Sequence, residues 1–121
     1  MLTNRCSLRL SKILKEHRFP QMSIEFDSDY YDLSGNLLYN VSSEVEKNNL
    51  IFAPYIAEVI DRFEIDLDLY LSVINTKEGY RYRIYDPESE TEILSNPSES
   101  EIASKVYEEC IEAAINYYYH D

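Results

Sequence analysis

Between Pro54 and Asp86 the apolar positions change their spacing, and that change organises the chain. Ile56, Ile60 and Phe63 fall at i, i+4 and i+7, one face of a helical period, while Glu58, Asp61 and Arg62 point away from it. Proline suits a first helical position, where its missing N–H has no partner to lose, so the helix is predicted from Ala53-Pro54-Tyr55 to about Glu64. The spacing then drops to every second residue. Leu67, Leu69, Leu71 and Val73 mark one face of a strand, and Asp68, Tyr70 and Ser72 the other. Beyond Gly79, Tyr80, Tyr82 and Ile84 alternate with Arg81, Arg83 and Tyr85, the signature of a half-buried antiparallel hairpin. Both apolar faces must share one side of the sheet. That parity, with Asn75 opposite Tyr80, sets Val73 against Tyr82, Leu71 against Ile84, Ser72 against Arg83 and Tyr70 against Tyr85. It leaves Thr76-Lys77-Glu78-Gly79 as a four-residue loop.

The same reasoning extends outward. A helix is predicted from about Asn4 to His17, with Leu10, Ile13, Leu14 and Cys6 inside and Arg5, Arg9, Lys12 and Glu16 outside. His17 and Arg18 suit its C-terminal dipole, and Pro20 ends it. A strand from about Ser23 to Tyr31, a turn at Asp32-Leu33-Ser34-Gly35-Asn36 and a returning strand at Leu37–Val41 form a first hairpin. Residues 42–50 read as an irregular connection, and Ile51 and Phe52 as a hydrophobic staple for the central helix. Ile93 and Leu94 mark a short edge strand within Pro87–Asn96. Ser98 and Glu101 have capping-box spacing, with a start nearer Ser104 as the competing boundary. Ala103, Val106, Cys110, Ala113, Ala114 and Tyr117 form the inner stripe of a last helix. The expectation is one α+β domain spanning residues 1–121. Its order is helix–hairpin–helix–hairpin–helix, with an antiparallel sheet and helices packed on one face.

Composition alters this picture in two respects. The 121 residues carry a formal charge of −12, and they include 12 tyrosines but no tryptophan. An excess of carboxylates disfavours direct contact with nucleic acid, whose phosphates require cations. The charge is uneven. Arg5, Arg9, Lys12, Lys15 and Arg18 make the first segment basic, whereas residues 86–121 set ten acidic groups against Lys105. No apolar run is long enough to span a bilayer and no signal-peptide core is present, so the expectation is a cytoplasmic protein that does not enter membranes.

Candidate chemistry is sparse. Cys6 and Cys110 are too few and too distant for a zinc site or a redox pair. Cys110, on the inner stripe, reads as a small buried hydrophobe. Asp27, Asp29 and Asp32 start like a calcium loop, but position 32 holds Asp where glycine is required and position 38 holds Leu where the bidentate Glu belongs. His17 has no nucleophile or carboxylate pattern near it and reads as a helix-end residue. No metal, cofactor or catalytic residue is assigned.

Five segments, in order, carry a resemblance. They are Leu10-Ser11-Lys12-Ile13-Leu14-Lys15-Glu16, Tyr30-Tyr31-Asp32-Leu33-Ser34-Gly35-Asn36-Leu37, Ala53-Pro54-Tyr55, Ile65-Asp66-Leu67-Asp68-Leu69-Tyr70-Leu71 and Tyr107-Glu108-Glu109-Cys110-Ile111-Glu112-Ala113. Over most of residues 8–115 the chain resembles a group of small uncharacterised proteins from Bacteroides-type gut bacteria and their prophages. It departs from them in Ile102-Ala103-Ser104-Lys105, where an aromatic-rich approach is usual, and in the added Tyr117-Tyr118-Tyr119. The resemblance implies a phage-associated or mobile-element protein of the cytoplasm. It brings no activity and no functional residues.

Three functional classes compete. A non-catalytic protein-binding module, with a second copy among its partners, would use Tyr70, Arg81, Arg83 and Tyr85 on the polar sheet face and Tyr117, Tyr118 and Tyr119 at the tail, since tyrosine gives large rigid contact area at small entropic cost. An acidic mimic of nucleic acid, inhibiting a DNA-binding host protein, would need the carboxylates of residues 86–112 in one continuous stripe. An enzyme would need paired titrating groups in a cleft, for which Asp68 beside Arg83 is the nearest candidate, and this class is disfavoured.

Overall fold

A computed structural model describes residues 4–21, 28–41, 49–86, 91–95 and 102–119. Its elements run α1 (Leu8–Glu16), β1 (Tyr30–Tyr31), β2 (Leu37–Leu38), β3 (Ile51–Phe52), α2 (Ile56–Leu67), β4 (Tyr70–Thr76), β5 (Gly79–Asp86), β6 (Thr91–Ser95) and α3 (Ala103–Tyr119). The fold is mixed α+β, with two small antiparallel sheets ordered β2-β1-β3 and β4-β5-β6. Contacts divide the chain into two compact units, Thr3–Tyr55 and Ile56–Asp121.

In the first unit, α1 starts at Leu8, four residues later than the predicted Asn4. Ser7 is the cap, its hydroxyl accepting from the Leu10 N–H at 3.2 Å. The helix closes through Arg18, at φ 64, with bonds from Arg18 N to Lys15 O and from Phe19 N to Leu14 O. This is the pattern that usually recruits glycine. Leu10 and Leu14 are buried, and Cys6 is buried just ahead of the helix, its N–H bonded to Pro54 O at 2.8 Å. Tyr30 pairs with Leu38 and Tyr31 with Leu37, across a turn whose Asp32 carboxylate accepts from the N–H groups of Ser34 and Asn36. Gly35, at φ +89, lies where a Cβ would come 3.2 Å from Leu8 Cδ2, so both backbone sign and space favour glycine. The predicted positions Ile24, Phe26 and Asp27, and most of the connection at 42–50, lie outside the described residues.

In the second unit the predicted register is the observed one: Tyr70↔Tyr85, Leu71↔Ile84, Ser72↔Arg83, Val73↔Tyr82 and Asn75↔Tyr80. Pairing continues one step further, to Thr76↔Gly79, so the turn is Lys77-Glu78 and not four residues. The Thr76 hydroxyl accepts from Glu78 N at 3.2 Å, and Gly79 takes φ 132. β6 pairs with the other edge of β5, with a register shift between Ile84 and Tyr85. α3 packs on β4 and β5, and α2 on β4 and α3. Buried Leu71 and Ile84 meet the buried stripe of α3, Val106, Cys110, Ile111, Ala114 and Ile115.

Four expectations are corrected. Among the described residues there are two sheets, not one, and Ile51–Phe52 is no staple: it forms β3, pairing with Tyr31 and Tyr30. The central helix starts at Ile56 and runs on to Leu67, so Leu67 and Asp68 leave the strand. Asp68, at φ 52, makes the corner, and Leu69 N donates to Phe63 O at 3.2 Å. Its buried face is Ile56, Val59 and Phe63, with Ile60 half-buried. On α3 the stripe is rotated: Ile111 and Ile115 are inside, while Ala103 and Ala113 are half-buried and Tyr117 is exposed. The proposed capping box, Ser98 to Glu101, lies outside the described residues.

Candidate functional site

Strand alternation turns Tyr82 and Ile84 toward α3, and therefore turns Tyr70, Ser72, Ile74, Arg81, Arg83 and Tyr85 to the opposite face. The four residues singled out from sequence on this sheet thus share one surface. Tyr70 and Tyr85 are direct cross-strand partners, with ring centroids 5.6 Å apart at 73°, an edge-to-face pair. The Arg83 guanidinium carbon lies 5.9 Å from the Tyr85 ring centroid, and its Nε donates to Glu92 Oε1 on β6 at 3.2 Å. Arg81 donates from Nη2 to the Ser95 hydroxyl at 3.2 Å, while its buried Nε has no hydrogen-bond partner. The result is a plane of half-buried aromatic and guanidinium groups held by contacts across three strands.

Tyr70 also reaches back to α2. Glu64 raises the Tyr70 hydroxyl above its ordinary value, first through its negative charge and also by accepting a hydrogen bond from it. Asp68 does not pair with Arg83, whose ionic partner is Glu92. Tyr117, Tyr118 and Tyr119 belong to a different surface. They are exposed on the last turn of α3, which packs on the far face of the sheet, and the Tyr118 and Tyr119 rings stack edge to face at 5.0 Å. Sequence placed these seven residues in one candidate set; the fold separates the four on the sheet from the three on the helix.

The acidic stripe is only partly described. Of the carboxylates at 86–112, those at 88, 90, 99 and 101 lie outside the described residues, and Glu92 is engaged by Arg83. Of the calcium-like positions, Asp29 is buried, ion-paired with Arg5, and accepts from Asn40 N at 2.8 Å. Asp32 serves its own turn, whose N–H groups hold the carboxyl below its usual range. Among the described residues no group of three or more His, Cys, Asp and Glu is placed to hold a metal ion. No described helix is long and apolar enough to cross a membrane.

Sequence reasoning missed one cluster. Arg5 ion-pairs with buried Asp29, donates from Nη1 to Ala53 O at 2.9 Å and from Nη2 to the Tyr55 hydroxyl at 2.7 Å, and lies 3.9 Å over the Tyr55 ring. The helical period predicts Arg5 on an outer stripe. The structure puts it before the helix, bridged to Tyr55 along the backbone.

The titration shifts beneath α3 come first from burial. Burial pushes the Cys110 thiol up to about 12, and burial followed by neighbouring Cys110 raises the hydroxyls of Tyr82 and Tyr107. The folded chain therefore keeps protons that the unfolded chain releases. Stability is fully present below the ordinary thiol value of 9.0 and declines as pH rises toward 12. The urea midpoint is expected to fall steadily from about pH 8 to about pH 11, and to fall less in Cys110→Ala. A midpoint that stays flat over that interval would contradict the assignment.

No family model matches the chain, and neither a curated protein nor a solved structure does.

Proposed function

We propose that the protein is a non-catalytic protein-interaction module, cytoplasmic and of phage or mobile-element origin, that docks a protein partner on the outer face of β4-β5-β6. One observation carries this reading. Tyr70, Arg81, Arg83 and Tyr85 form an ordered aromatic and guanidinium plane on the sheet face turned away from α3. Tyrosine and arginine dominate the anchoring positions of protein interfaces, and side chains already held by neighbours lose little freedom on binding. On this reading the surface receives a protein and neither a membrane nor a nucleic acid. The chain as a whole carries −12, which opposes phosphate. Neither a cofactor nor a catalytic residue enters the reading.

The test is affinity capture from the native host followed by mass spectrometry. Wild type and Tyr70→Ala/Tyr85→Ala are compared. The double variant is expected to lose the captured partner, with binding at least roughly 30-fold weaker, as anchors of this type cost about 2 kcal/mol or more. An identical partner list from both proteins, with circular dichroism unchanged, would remove this face from consideration.

A further inference from the structure

The Arg5 cluster shows how this chain seats an arginine. A carboxylate takes the charge, a tyrosine ring takes the flat face, and the phenol oxygen accepts an N–H. The second unit repeats the carboxylate and the tyrosine without the arginine. Tyr70 opens β4, and Glu64, on the last turn of α2, accepts a hydrogen bond from its hydroxyl. Asp68, at the corner between the two elements, lies near enough for its charge to act on the same phenol. Glu64 and Asp68 are exposed, and among the described residues neither forms an ion pair. No described cation lies over the Tyr70 ring.

The arginines of the sheet face are engaged elsewhere. Arg83 pairs with Glu92 and lies toward the Tyr85 ring, and Arg81 donates to Ser95. Residues 56–121 hold 16 acidic side chains against 5 basic ones, so they carry −11 of the chain's −12. The charge left uncompensated at the Tyr70 end is therefore negative, and its complement is a cation.

We infer that Tyr70, Glu64 and Asp68 form a seat for an arginine side chain on a basic segment of the protein partner, its guanidinium lying over the phenol ring and donating to the Glu64 carboxylate. Arginine suits this place better than lysine. A planar guanidinium stacks on a ring while it donates to a carboxylate, whereas an ammonium is a compact, strongly hydrated point charge. Glu64 has acceptor sites to spare, since the Tyr70 hydroxyl occupies one of about four. Tyr85, edge to face with Tyr70 at 5.6 Å, holds the ring in position. The negative field of the unit steers a basic segment toward the seat before contact.

This rests on the outer sheet face being an interaction surface, and names what that surface selects. The probe is the peptide Ac-Gly-Gly-Arg-Gly-Gly-amide, set against its citrulline counterpart, which keeps the planar shape and loses the charge. In an NMR titration of the full chain at about 0.15 M salt, where long-range fields are screened, the arginine peptide is expected to shift the Tyr70 ring resonances. The citrulline peptide is expected to leave them in place. Glu64→Gln keeps an acceptor for the Tyr70 hydroxyl but loses the charge, and is expected to raise the dissociation constant roughly 3-fold or more. Asp68→Asn, which tolerates the left-handed backbone, weakens binding in the same direction. Glu78→Gln removes an equal charge at the hairpin turn and leaves the constant unchanged. Equal shifts from the two peptides, shifts that bypass Tyr70, or a loss in Glu78→Gln matching that in Glu64→Gln would each overturn the seat. A native partner lost in Tyr70→Ala/Tyr85→Ala, with an arginine peptide that ignores Tyr70, would remove the seat and leave the docking face standing.

Discussion

Arg5→Ala is expected to destabilise the Thr3–Tyr55 unit by about 3–5 kcal/mol, because it leaves a buried carboxylate without its cation. The Asp29 side chain is 3% exposed and that of Arg5 14%, so water does not take over the lost partner. The substitution also removes the donor to Ala53 O and the guanidinium stacked on Tyr55. Asp29 retains one other partner, the Asn40 N–H, which limits but does not remove the penalty. Asp29→Asn costs less, since the amide keeps hydrogen-bonding capacity and no buried charge is stranded. Hydrogen exchange at β1 and β3 is the direct readout, as these strands flank the Asp29 contact: Ala53 N donates to Asp29 O at 2.9 Å. A loss below about 1 kcal/mol would show that the pair behaves as an exposed one.

The second large effect lies in the other unit. Ile84 is wholly inaccessible to solvent, sits on the central strand and opposes Leu71 across the sheet. Ile84→Ala removes the apolar side chain opposite Leu71 and opens a cavity beneath α3. Its expected cost is roughly 2–5 kcal/mol, against about 0.5–1.5 for Ile84→Val. In denaturation the midpoint falls while the slope against denaturant holds, since the surface exposed on unfolding hardly changes. Equal stability of Ile84→Ala and wild type would place this side chain outside the core and undo the hairpin packing described above.

Why was the register of β4 and β5 legible when β3 was not? Period-two patterning on both sides of Gly79 fixes which face each residue takes, and one-residue slips then expose an apolar row. Ile51–Phe52 is two residues long, too short to show any period, and its partner lies about twenty residues upstream. The end of α2 misled for the opposite reason. Ile65-Asp66-Leu67-Asp68-Leu69 alternates like a strand, yet Ile65 is 73% exposed on a last helical turn, where nothing buries it. Local pattern there was overridden by the Leu69 to Phe63 hydrogen bond and the left-handed Asp68.

The candidate surface follows the same division. Tyr70, Arg81, Arg83 and Tyr85 could be grouped from sequence because register and alternation place them together. Tyr117, Tyr118 and Tyr119 stand out by composition, which says nothing about which layer carries them, and α3 lies on the other side of the sheet. Arg5, Asp29 and Tyr55 come from three separate segments with no shared periodicity. Nothing in the sequence joins Arg5 to Asp29, because burial of Asp29 is not visible there.

That three-segment knot has a consequence for synthesis. The residues at 53–55 that receive Arg5 are among the last of their unit to leave the ribosome, so α1 emerges long before its anchor exists. Vectorial folding cannot proceed helix by helix here; the earliest segment must wait, basic and unanchored, for the latest one to arrive. A pause in translation once Tyr55 has cleared the ribosomal exit tunnel would let the unit close before the last of the acidic segment emerges.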